Sequence, residues 1–222
     1  MTELRLIEPQ PDGGPFSVGT PLPRRLPHGR HGIPSRIVVE HQRLRLLEAM
    51  MEALGEQGYA KVTTTHVSER ANVSTSTFYK HFGNLWDCLL AAYVAAADRL
   101  CGTIEAACAE AAPEADPLLT GIEAALALFA AEPQLGLLLS AQAPREATAL
   151  SAARRLLISR LAAMLRRAQG GEEDAPRPTG LDERLIDATL AFLHSRLAST
   201  GPGQIAALAP ELTTILRRPR VG

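Results

Sequence analysis

Beyond residue 34 the apolar positions recur at helical spacing. Leu46, Leu47, Met50, Met51 and Leu54 fall at i, i+1, i+4, i+5 and i+8, which predicts one helix from about Ser35 to Gln57, ended by Gly58. Thr63 is placed to cap a short helix through Ala71, and Asn72-Val73 makes a turn. Ser74 can cap a second short helix through about Phe82. Gly83-Asn84 breaks that helix, with Asn84 a cap for a longer one reaching Ala111. The stripe Leu118, Leu119, Ile122, Leu126, Phe129 ends near Pro133, and a short apolar helix over 134–143 is stopped by Pro144. Leu150, Ala153, Leu157, Leu161 and Met164 mark the next helix, whose other face carries Arg154, Arg155, Arg160 and Arg166. A polar loop, "GGEEDAPRPTG" (170–180), follows. Two final helices hold Ile186, Leu190, Leu193, Leu197 and then Ile205, Leu208, Leu212, Ile215. There is no internal repeat, and the fold class is all-α.

Composition agrees with this pattern. Hydrophobic residues make up 46% of the 222 positions but aromatics only 4%, so Ala, Leu and Val dominate, as in packed helices rather than sheets. No apolar run reaches the ~18 residues of a membrane span. The start, "MTELRLIEPQPDGG", lacks a basic segment followed by an apolar one, so no secretory leader is expected and a cytoplasmic location is. Cys88, Cys101 and Cys108 have no metal-ligand spacing and read as reduced, inert thiols. The seven-residue step from Cys101 to Cys108 leaves a redox pair as the alternative.

Charge is uneven. Residues 22–85 carry seven Arg and two Lys against five Glu, net +4, while residues 86–222 carry 13 Arg against 16 acids, net −3. Only the first part suits a polyanion. Residues 1–34, rich in Pro and Gly and without periodicity, read as a disordered arm; its Arg24, Arg25 and Arg30 would alternatively suit a phosphate backbone or a minor groove.

The chemistry concentrates in the two short helices. Neither is stable alone, so apolar residues must hold them: Val67, Ala71 and Val73 on the first helix and turn, Phe78 and Phe82 on the second. The outward arc of the second helix is then Thr75, Ser76, Tyr79 and Lys80, flanked by Thr77 and His81. That arc has hydroxyls and a cation but no acid, and a major groove about 12 Å wide admits such a helix. Thr and Ser reach base edges or phosphates, Lys80 neutralises a phosphate, and Tyr79 meets a thymine methyl or the backbone.

"GYAKVTTTHVSERANVSTSTFYKHFGNLWDCLLAAY" resembles the DNA-binding domain of TetR/AcrR-type transcriptional repressors over about 60 residues, Val39 to Leu100, with Phe-Tyr-x-His-Phe its most specific part. The resemblance implies a three-helix DNA-reading head (35–84) and a larger helical body (85–222) for effector binding and homodimerisation. It assigns Thr75, Ser76 and Tyr79 to base or methyl contacts, and Thr64, Thr65, Thr77, Tyr79, Lys80 and His81 to phosphate or flanking contacts. Two positions depart from the pattern: Asn72 stands where Gly is usual, and Leu85, followed by Trp86, where Lys is common.

The implied partners are a near-palindromic DNA duplex, a second copy and an unknown small-molecule effector, released repression being the mode, with no membrane. Two half-sites multiply the few base contacts of one short helix. The apolar faces of 185–197 and 205–216 are the candidates for a four-helix dimer interface, the alternative being ordinary core helices. Tyr93, Phe129 and Phe192 are candidate ligand contacts, and the aliphatic body suggests an apolar effector. No cofactor or metal is expected. An enzyme lacks its motifs here: no His-Glu-x-x-His, no phosphate loop, no Gly-x-Ser-x-Gly. The competing function is a helical interaction protein whose head no longer reads DNA.

Overall fold

The structure, a computed structural model, describes residues 35–58, 61–141, 148–170, 180–199 and 204–217. The arm over 1–34, Tyr59, Pro144 and most of the loop over 170–180 lie outside the described residues. Those described hold nine α-helices and no strand: α1 (Ser35–Gln57), α2 (Thr64–Arg70), α3 (Thr75–His81), α4 (Leu85–Glu110), α5 (Pro117–Ala131), α6 (Pro133–Ser140), α7 (Thr148–Ala168), α8 (Leu181–Ser199) and α9 (Ala209–Leu216), the last entered through a 3-10 turn at Ala206–Leu208. The all-α expectation holds.

Contacts divide the chain into residues 1–42 and 43–222. The described part of the first unit is the start of α1. In the second unit one buried cluster runs from Leu46 to Leu216. It includes Phe78 of α3, Cys88 and Leu89 of α4, and Leu126 and Phe129 of α5. The Cys88 thiol donates to the Leu46 carbonyl at 3.8 Å, tying α4 to α1. α4 packs along α5 and α7, α6 along α8, α7 along α8, and α9 along α5.

Three side-chain expectations are corrected. Arg154, expected on the polar face of α7, is 8% exposed. It stands four residues after Leu150 and three before Leu157, hence on the apolar stripe itself. α8 brings Asp187 opposite, and Arg154 donates to that carboxylate and, through Nε, to the Ala141 carbonyl at 3.3 Å. Ile215, expected on the inner stripe of α9, is exposed. The buried residues Ile186, Leu190 and Leu193 of α8 and Leu212 of α9, expected to meet a twofold mate, are covered within the chain, α8 by α6 and α7 and α9 by α5. These side chains fill the chain's own core. α6 also stops at Ser140, three residues early.

α6 comes very close to its neighbours. A Cβ on Gly136 would stand 2.8 Å from Leu197 Cδ1 and 3.1 Å from Phe129 Cγ. Gly136→Val is therefore expected to destabilise the protein by ~1–3 kcal/mol through overpacking, read as a lower urea midpoint. Among the described residues no single helix is long and apolar enough to cross a membrane.

Candidate nucleic-acid interface and effector cavity

Local chemistry sets the head. Thr63 Oγ1 accepts from the His66 amide at 3.2 Å and starts α2, and Ser74 Oγ accepts from the Thr77 amide at 3.1 Å and starts α3. Between them Asn72 sits at φ 50°, the left-handed region that Asn tolerates better than most residues. Arg45 donates to the Ala71 and Asn72 carbonyls and closes the turn from α1. Arg70 is held by Glu52 and Glu56, its Nη1 donating to Glu56 at 2.7 Å, and this hydrogen bond holds the Glu56 carboxyl below its ordinary range.

Phe78 is fully buried and Phe82 nearly so, their ring centroids 5.6 Å apart. The Tyr79 ring meets the edge of Phe78 at 5.5 Å yet is 56% exposed. The adjacent aromatics thus separate, Phe inward and Tyr outward. Thr75, Ser76 and Lys80 are exposed with Tyr79, and Thr77 and His81 are half-buried beside them. Ser74 Oγ lies 2.8 Å from Ser76 Oγ and 2.9 Å from Thr77 Oγ1, so the hydroxyls at the start of α3 form one hydrogen-bonded group. On α2, Thr65 is exposed and Thr64 half-buried. The candidates on α3 therefore form one contiguous arc, with Thr64 and Thr65 in the first turn of the preceding helix.

Sequence reasoning missed the supports. The Arg43 guanidinium lies 5.0 Å from the Phe82 ring centroid, and neither it nor Arg45 has a local signal, because their partners Phe82 and Ala71 lie 39 and 26 residues further along the chain. At the departures, Leu85 packs against the core, whereas Trp86 is 53% exposed.

In the body, α4, α5, α7, α8 and α9 enclose a cavity of about 360 Å³. Its walls are hydrocarbon apart from Glu105, Cys108, Arg167 and Thr189. Phe129 lines it; Tyr93 and Phe192 do not. Tyr93 is buried in the core, and Phe192 lies half-buried under the Arg196 guanidinium. Burial pushes the Cys88 thiol up to about 12 and raises Cys101 as well, which keeps both protonated near neutral pH.

Two short capped helices joined by a tight turn, with a buried phenylalanine wedge and an exposed polar arc, make a helix-turn-helix DNA-binding unit. Residues 46–92 match the family model for bacterial regulatory proteins of the tetR family. The head is thus a TetR-type DNA-binding domain, and the chain has the fold of TetR-type regulators. That fold recurs in the fatty acid degradation regulator FadR of Bacillus halodurans, 17% identical over 79% of this chain and 94% of the other, TM-score 0.62. It recurs in FadR of Bacillus subtilis, solved in complex with stearoyl-CoA, also 17% identical, covering 78% and 96%, TM-score 0.62. A third similar structure is the TetR family regulator PfmR of Thermus thermophilus, 20% identical over 78% and 96%, TM-score 0.54. No curated protein matches the chain.

Proposed function

We propose that this chain is a cytoplasmic, homodimeric transcriptional repressor that reads a near-palindromic operator through α3 and leaves it when a small apolar molecule fills the body cavity. The observation that carries the reading is the exposed arc of Thr75, Ser76, Tyr79 and Lys80 on a wedge of buried phenylalanines. In each half-site α3 enters the major groove, Thr75, Ser76 and Tyr79 facing base edges and thymine methyls, Lys80 and His81 the phosphates. Thr64, Thr65 and Thr77 reach the flanking backbone. The chemistry is recognition, not catalysis.

Effector and operator are linked by α4. Its first turns share the buried cluster with α1 and α3, and its later residues Leu100 and Ile104 form cavity wall. An occupant that favours a different seat of α4 lowers operator affinity by its differential affinity for the two states. The volume is at the low end of the ~300–1,000 Å³ of small-molecule sites. The acyl-CoA complex of a protein with the same fold supports an apolar-chain effector. A twofold partner is inferred to seat on α7 and α8, where Leu156 is 62% exposed.

Selection from random duplexes tests the reading. The expected result is an inverted-repeat site bound by two copies, with log affinity falling linearly in log salt by roughly 0.9 per phosphate neutralised. Recovery of no preferred duplex at low salt would leave the head a degenerate one and the chain a helical interaction protein.

A further inference from the structure

The effector class can be narrowed from the distribution of polar atoms around the cavity, an inference that rests on the cavity being the effector site. Apart from the charged pair at the rim, Cys108 and Thr189 are the only lining side chains with heteroatoms among the described residues, and each donates its proton within the chain. Thr189 Oγ1 donates to the Leu185 carbonyl at 2.8 Å and the Cys108 thiol to the Pro117 carbonyl at 3.6 Å. An acceptor carried inside would lose its water with no side-chain donor to replace it, at a cost of ~1–3 kcal/mol, and only the Thr189 oxygen keeps a lone pair for a donor. The enclosed part of the ligand is therefore plain hydrocarbon, and any polar head stays at the rim.

The rim is built from Glu105 on α4 and Arg167 in the last turn of α7. Their side chains are 58% and 68% exposed, and Arg167 Nη2 stands 3.9 Å from Glu105 Oε1. That separation is too long for a hydrogen bond. The nearby pairs are tighter: Arg160 to Asp98 at 2.6 Å, and Arg166 to Asp182 at 3.4 Å. The Arg167 fork is thus loosely matched, whereas a carboxylate would fit it in two parallel hydrogen bonds. A trimethylammonium head would meet the Glu105 carboxylate only as a point charge, since it has no N–H to donate, and Phe129 is the one aromatic residue lining the cavity among the described residues.

We propose that the cavity takes an unbranched hydrocarbon chain ending in a carboxylate, with Arg167 clasping the head in competition with Glu105. Affinity should then rise by about fourfold per added methylene while the chain stays within the cavity, and rise no further once it is filled.

The test is calorimetric titration of the full chain, with each amphiphile below its micellar concentration. The ligands are octanoate, decanoate, dodecanoate, hexadecanoate, decanol, dodecyltrimethylammonium and dodecanoyl-CoA. Dodecanoate is expected to bind more tightly than the ammonium compound or the thioester. Arg167→Gln should weaken dodecanoate by up to about fivefold, the range for a solvent-exposed ion pair, and leave decanol unchanged, while Glu105→Gln should strengthen dodecanoate. Both residues are exposed, and circular dichroism checks that the variants fold. Tighter binding of the ammonium compound or of dodecanoyl-CoA, equal weakening of acid and alcohol by Arg167→Gln, or no binding by any chain would overturn the assignment. Operator binding by the ligand-free protein is measured separately, so failure of the repressor reading and failure of the ligand assignment are distinguishable.

Discussion

Phe78→Ala is expected to cost about 3–5 kcal/mol of folding stability, the range for truncating a fully buried phenylalanine, and to abolish operator binding with it. Phe78 has no exposed surface and packs against Phe82 and the edge of Tyr79. It also holds up two seven-residue helices, α2 and α3, that are far below the length at which a helix stands alone in water. Urea unfolding followed by circular dichroism reads the loss. A midpoint within error of the parent protein would show that α3 is held by something other than its phenylalanine wedge.

One residue along, the expected outcome is reversed. Tyr79→Ala removes a ring that is 56% exposed, so stability should stay within about 0.5 kcal/mol of the parent. Operator affinity should fall by ~1–3 kcal/mol per half-site, and twice over in a dimer. A fluorescence anisotropy titration at fixed salt measures it. Unchanged affinity would remove Tyr79 from the reading surface and with it the orientation assigned to α3. Side by side, the two variants separate the role of holding the helix from the role of reading with it.

The head was legible because its determinants are local. Thr63, Ser74 and Asn84 cap the helices that follow them, each accepting from an amide three residues on. Asn72 takes the left-handed turn. Spacing alone separated Phe78 and Phe82 from Tyr79, because residues four apart share a helix face. The body was legible only as helices. Arg154 sits on an apolar stripe because Asp187 waits thirty-three residues away, and no pattern within α7 signals that partner. α9 packs along α5, far earlier in the chain, and no pattern within α9 signals that neighbour. A cavity is the space left when five helices pack imperfectly, so a list of aromatic residues found one of its walls, Phe129, and not the other two candidates.

α6 meets its neighbours closely at its first turn. Gly136 lies under the Phe129 ring, itself a wall of the cavity, and two residues earlier the Gln134 amide rests where a side chain on Gly55 of α1 would have to be. The two close approaches differ in kind: Gly136 is pressed by the Phe129 ring and its Cβ, whereas Gly55 faces only the end of the flexible Gln134 side chain. A methyl group added at Gly55 therefore need only displace the Gln134 amide, whereas one added at Gly136 would have to push the Phe129 wall of the cavity itself.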